Sequence, residues 1–160
     1  MRYTPVKIVL LFGIAFLFNA CIKRKEFDIV PAITFQSYQV FTHVENGKNV
    51  ADSAYLTFSF QDGDGDIGSG DDVSPSVFID YYENKGGGFV RDTTVPQFKD
   101  YFPKLTPTGN NNGIEGTYLK VIRLQPPYNY KTSYPYQYKV LIKDRAGHES
   151  NTIETPSQSK

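Results

Sequence analysis

The 160-residue chain is 39% hydrophobic and 21% charged, a balance that excludes both a disordered chain and a multispan membrane protein. Its 17 basic and 17 acidic side chains cancel, so no global charge argues for nucleic acid as a partner. One cysteine excludes an intrachain disulfide framework and a cysteine zinc cluster, and two histidines leave little for a histidine metal site.

Arg2 and Lys7 open the chain, and residues 8–18 follow as an uncharged apolar run of eleven. That length suits the core of a signal peptide and falls short of the roughly 20 residues a spanning helix needs. Phe18, Asn19, Ala20 and Cys21 come next, and this segment resembles the lipobox of bacterial lipoproteins. The resemblance implies that residues 1–20 are a signal peptide and that Cys21 carries the lipid, with the membrane as a partner through that anchor. A secretory peptide with a chance cysteine and a retained helical anchor are the alternatives. Ile22 does not resemble the aspartate signal for inner-membrane retention, so the resemblance implies a bacterial cell envelope address at the outer membrane, in either leaflet. Lys23, Arg24 and Lys25 follow at once and read either as contacts to anionic headgroups, at about 1 kcal/mol each, or as a solvated spacer with incidental charge. Residues 21–30 read as a lipidated tether.

Beyond it, period-two alternation recurs between Gly- and Pro-rich turns, and no window holds a 3.6-residue period. Strands are expected at 33–41, 54–60, 77–82, 89–95, 116–124, 134–142 and 151–154. In the second, Ala54, Leu56, Phe58 and Phe60 face one way and Tyr55, Thr57 and Ser59 the other. In the sixth, Tyr136, Tyr138, Val140 and Ile142 share a face. Gly86, Gly87 and Gly88 read as a hairpin tip, and 96–113, with three prolines and Asn110 to Asn112, as a long loop.

About seven strands in residues 31–155 imply an all-β fold, an antiparallel immunoglobulin-like β-sandwich, with an up-and-down β-barrel as the alternative. Residues 143–151 resemble the D-x-A-G-N turn of bacterial immunoglobulin-like domains through Asp144, Ala146 and Gly147. His148 stands where Asn is usual. A constant-type domain changes sheet between its third and fourth strands, whereas the triple glycine favours a simple hairpin; that connection stays open. Residues 156–160 are a polar tail.

The segment Gln61-Asp62-Gly63-Asp64-Gly65-Asp66-Ile67-Gly68 is the most unusual in the chain. Its glycines formally fit G-x-G-x-x-G, but aspartates between them would repel a pyrophosphate and a strand follows where a helix is needed. Alternating Asp and Gly instead lets backbone wrap a hard cation. The run resembles an EF-hand loop only in part: Ile67 replaces the turn glycine and Val73 the bidentate Glu. Calcium is therefore the expected cofactor, with a solvated glycine-rich connection as the alternative. In an immunoglobulin-type sandwich the second-to-third and sixth-to-seventh loops meet at one end. That places Asp144 beside Asp62, Asp64 and Asp66, in a weak site of about 10⁻⁴–10⁻³ M.

Eight acids and no basic residue lie between Lys48 and Lys85, so residues 62–72 also read as a docking patch for a basic partner. Tyr128, Tyr130, Tyr134, Tyr136 and Tyr138 crowd one stretch. They offer either a platform for a protein or a sugar, or two core residues with Tyr134 at a corner. No G-x-S-x-G or H-E-x-x-H motif is present. His43 and His148 read as surface residues, and no catalytic residue is assigned. The expected function is a lipid-anchored, non-catalytic envelope binding or assembly module with an envelope protein or glycan as partner. The alternatives are a calcium-dependent glycan-binding lipoprotein and, further off, an envelope hydrolase.

Overall fold

A computed structural model describes residues 26–68, 74–105, 107, 112–124 and 134–159. The expected signal peptide at 1–20, Cys21, Lys23 to Lys25, Asp71, Asp72, Tyr128 and Tyr130 lie outside them. The strands are β1 (Ala32–Glu45), β2 (Lys48–Asp62), β3 (Val77–Asn84), β4 (Phe89–Arg91), β5 (Phe98–Asp100), β6 (Ile114–Arg123), β7 (Tyr136–Ile142) and β8 (Ile153–Glu154). They form two antiparallel sheets, ordered β1-β2-β6 and β4-β3-β7-β8, with β5 also on β3. The sheets face each other without closing into a barrel, so the architecture is a β-sandwich.

Every expected strand is present. The third-to-fourth connection is the simple hairpin: Asn84 pairs with Phe89, and the Asn84 side chain accepts from the amides of Gly86 and Gly88 at 2.9 and 3.2 Å. The fourth strand therefore stays in the sheet of the third. It is shorter than expected, ending at Arg91, because Asp92 starts a turn by accepting from the Thr94 amide at 2.9 Å. The loop expected at 96–113 carries one short strand, β5, which Pro96 and Pro103 confine to three residues on an edge. It shares one edge of β3 with β4, since β7 fills the other.

The alternating rows meet between the sheets. Ala54, Leu56 and Phe58 on β2 are fully buried, as are Val77 and Ile79 on β3 and Val140 and Ile142 on β7, within 1%. Tyr136 and Tyr138 join the core with Tyr81, their rings 5.6–6.0 Å apart, which rules them out as an exposed platform. Tyr134 is half exposed beneath the Lys85 ammonium. Two polar seams close the sides. On one, Asn151 accepts from the Ile33 amide and donates to the Ile33 carbonyl, both at 2.9 Å. On the other, Asp100 on β5 accepts from Tyr118 and, at 2.7 Å, pairs with Lys120 on β6. Against the cost of its burial, those partners hold the Asp100 carboxyl below the usual range.

The chain before β1 is packed rather than free. Pro31 is fully buried, and the Gly63 amide donates to the Asp28 carbonyl at 2.7 Å. A β-carbon at Gly63 would collide with the carbonyls of Phe27 and Asp28, so only glycine permits that approach. The segment expected as a tether is thus packed on the domain from Phe27 onward. No helix among the described residues is long and apolar enough to cross a membrane.

Facing on β7 is testable. Val140 is 1% exposed, and a carboxylate there has no partner, at a cost of several kcal/mol out of a total stability of about 5–15. Val140→Asp is expected to abolish the cooperative thermal transition followed by circular dichroism. Lys139, whose ammonium pairs with Glu154 at the surface, should accept Asp with a loss of about 1 kcal/mol. Equal tolerance of both would overturn this facing.

Candidate metal centre

Two rows of the core end in aspartate. On β2 the inward positions run Ala54, Leu56, Phe58, Phe60 and then Asp62, which is fully buried. On β7 they run Tyr138, Val140, Ile142 and, just past the strand, Asp144, 7% exposed. Because the sheets face each other, the two carboxylates meet at one end of the sandwich. Asp66, on the loop after β2, completes the group: one carboxylate oxygen from each of Asp62, Asp66 and Asp144 lies within 4.8 Å of the others.

The loops are tied by backbone. The Asp66 amide donates to Asp62 Oδ2 at 2.9 Å, closing a tight turn through Gly63 and Gly65. Asp66 then accepts at its Oδ2 from the Ala146 amide, 3.1 Å, and at its carbonyl from the Arg145 amide, 3.3 Å. The Arg145 guanidinium donates to the Gly68 carbonyl at 2.5 Å. Asp144 organises its own turn. Its Oδ1 accepts from the amides of Gly147 and His148 at 2.6 and 2.7 Å, and its Oδ2 lies 2.8 Å from His148 Nδ1. Gly147 has φ +97°, a backbone conformation that glycine adopts without strain.

The carboxylates are unequally satisfied. Asp62 Oδ1 and Asp66 Oδ1 are buried and have no hydrogen-bond partner. Three anions at this spacing repel by about 3 kcal/mol per pair at an effective dielectric of roughly 20. Desolvation, with the charges of Asp64, Asp66 and Asp144 behind it, pushes Asp62 up to about 6 despite the Asp66 amide. Asp66 is raised by desolvation and by Asp144 and Asp64. His148 is raised by its hydrogen bond to Asp144 and by that carboxylate's charge.

Of the four aspartates expected to form the site, Asp62, Asp66 and Asp144 come together. Asp64 does not join them: it is exposed at the turn, close enough to act on its neighbours by charge alone. His148, expected as a bland surface residue, is the partner of Asp144; the signal was its place four residues on in the same turn. Ile67 puts its side chain wholly into the core. Comparison with known protein families, with curated proteins and with solved structures gave no match.

A cation among the three carboxylates would satisfy the bare oxygens and cancel the repulsion; a proton does so in part. Asp62 has a folded pKa above its unfolded value of about 3.9, so the folded state binds more protons between the two. Its effect is therefore a loss of stability as pH rises from about 4 to about 6, carried unchanged to pH 7. The raised His148 adds stability that is full below about 6.5 and lost above, in the same direction. With chelator present, the melting temperature should be higher at pH 5 than at pH 7. Asp62→Asn should raise it at pH 7 and flatten the profile. A wild-type profile rising from pH 5 to 7 would contradict this electrostatic account.

Proposed function

We propose that this chain is a lipid-anchored, non-catalytic binding or assembly module of a bacterial outer membrane, in which calcium joins the β2–β3 and β7–β8 loops. The observation that carries the calcium reading is the buried pair of unpartnered oxygens, Asp62 Oδ1 and Asp66 Oδ1, in one group with Asp144. All the donors are hard carboxylate oxygens, the set that favours calcium over softer metals. Three carboxylates leave room for backbone carbonyls and water to complete the six to eight ligands calcium prefers. Such a partial set gives a weak site, suited to the calcium outside a cell.

The anchor reading rests on the apolar run at 8–18 and on Cys21 directly after it. It has a geometric consequence. Cys21 precedes the docked Phe27 by six residues, which span at most about 20 Å. Phe27 and Asp28 lie against Gly63. An anchored domain therefore stands with its acidic pole toward the bilayer. The mature protein should carry a diacylglyceryl mass on Cys21 and lack residues 1–20; Cys21→Ser should yield an unprocessed or released chain. An unmodified Cys21 on the mature wild type, found by mass spectrometry, would overturn the anchor.

Calcium is tested separately by thermal melts. At ten times its dissociation constant the ion adds about 1.4 kcal/mol, or roughly 3–5 °C for a domain of this size. The wild type should gain that shift in millimolar calcium, and Asp62→Asn and Asp144→Asn should lose it. Asp64→Asn should keep most of it. No shift in the wild type, or an equal shift in Asp62→Asn, would leave an acidic cluster without an ion.

A further inference from the structure

The two outer faces of the sandwich are unlike. That of the β4-β3-β7-β8 sheet is laced with charge: Arg91 pairs with Asp80 at 2.7 Å and Lys139 with Glu154 at 2.5 Å, and the Lys139 ammonium lies over the Tyr82 ring. The β1-β2-β6 face is built from cross-strand rows whose inward neighbours on β2, Leu56 and Phe58, fix it as the outer side. Those rows are Phe41–Ser53–Arg123, Gln39–Tyr55–Val121 and Ser37–Thr57–Leu119. Residues 34–41 and 53–61 contain no charged residue at all. On β6 the outward charges are Glu115 and Arg123, at its two ends. Between them stand Leu119 (56% exposed) and Val121 (41%), continued by Tyr55 (37%) and Phe41 (54%), whose rings meet edge to face at 5.1 Å.

We propose that this face is an interface with a second copy of the chain, packed sheet on sheet about a twofold axis that lies between the two copies' sheets, over the centre of β2. Residues 53–61 run about 27 Å, and three strands with their side chains are about 15 Å wide. Two such faces project to about 800 Å² together and, with the relief of their side chains, cover on the order of 1,000 Å² of accessible surface, the lower bound for a specific interface. The composition fits: an apolar, hydroxyl-rich centre with charge only at the rim. A closed symmetric pair also needs one self-complementary patch and no other surface. With the twofold along the strands, each row meets its own reverse, so Val121 faces Gln39, Leu119 faces Ser37 and Arg123 lies over the second copy's Phe41, a cation–π placement. That direction of the axis rests on the anchor reading, because it puts both tethers at one end; the pairing itself does not. An interface this small is weak in solution and strengthened by confinement to a membrane.

Two measurements on the full chain decide it. Thr57 lies beside the axis, so Thr57→Cys should give a disulfide-linked dimer on mild oxidation of membranes. Thr152→Cys, on the opposite face, and the wild type should give none. Sedimentation of the purified chain in density-matched detergent should show twice the monomer mass at tens of micromolar, and Leu119→Arg should return it to monomer with its melting temperature unchanged. A monomeric wild type, a Thr57→Cys yield no greater than that of Thr152→Cys, or a dimer that survives Leu119→Arg would overturn the proposal. A face reserved for a glycan or a different protein would give the first two of these. Loss of the lipid anchor with the dimer intact would fault the anchor reading and leave this one standing.

Discussion

Strict alternation on β2 and β7 governs both the core and the acidic pole. A strand presents every second side chain to the same face, so the rule that buries Leu56, Phe58 and Phe60 carries on to Asp62. The same parity carries Val140 and Ile142 on to Asp144. Asp62 cannot leave the space between the sheets without a change of register that would expose the whole row behind it, and Asp144, two residues past Ile142, is held there by its own turn. The carboxylates are thus held at the end of the core by hydrophobic burial several residues away, not by attraction among themselves.

The electrostatics of the pole depend on how each carboxylate is solvated by protein. Asp144 replaces its lost water with two backbone amides and an imidazole, and in doing so fixes the turn that delivers the amides of Arg145 and Ala146 to Asp66. Asp62 receives a single amide and keeps one oxygen bare. The difference explains why Asp62 is pushed up to about 6: desolvation dominates when one hydrogen bond stands against burial and three like charges. The pole is therefore neutral-seeking. It is held together by backbone hydrogen bonds and held under electrostatic load by its side chains, a load that bound positive charge would relieve.

The fold was legible because its signals are local. Period-two rows, the triple-glycine tip and the turn around Gly147 each specify short-range geometry, and together they leave few ways to pair the strands. The meeting of Asp144 with the Asp-Gly loop was also legible, since it follows from which loops share an end. The choice among the loop's aspartates was not. Asp62, Asp64 and Asp66 look equivalent in an alternating Asp-Gly run, but β2 ends at Asp62 and the turn swings Asp64 into solvent. Parity counted from Phe60 would have singled out Asp62. The reach of β1 and β2 toward Asn46-Gly47 exceeds the expected spans as well: this pair, both with positive φ, makes the two-residue hairpin turn and extends each strand by several residues. Strand β5 carries no such signal. Three residues between prolines show as a strand only through their tertiary partners, Val77 to Ile79 and the Lys120 and Tyr118 side chains.

The strand axis also gives the molecule a direction. The docked residues 27–31, the acidic loop and the Asp144 turn share one end, whereas the Asn46-Gly47 and Gly86-to-Gly88 tips close hairpins at the other. The uncharged face of β1-β2-β6 runs lengthwise between these ends. Features that act along the axis and features that act across it are thereby separated: the charge of the acidic pole sits at one end, away from the apolar rows that β2 and β6 present on the face. Phe41 lies beyond the core row that ends at Ala54, on a stretch of β1 exposed on both sides. Its ring packs edge to face on Tyr55. An aromatic pair there, outside the core and far from the acidic pole, leaves about half of Phe41 and about a third of Tyr55 in contact with water in a single copy. The same pair gains most when a second surface covers it, so the uncharged face and the acidic pole are physically distinct features of one sandwich, one lateral and apolar and the other terminal and charged.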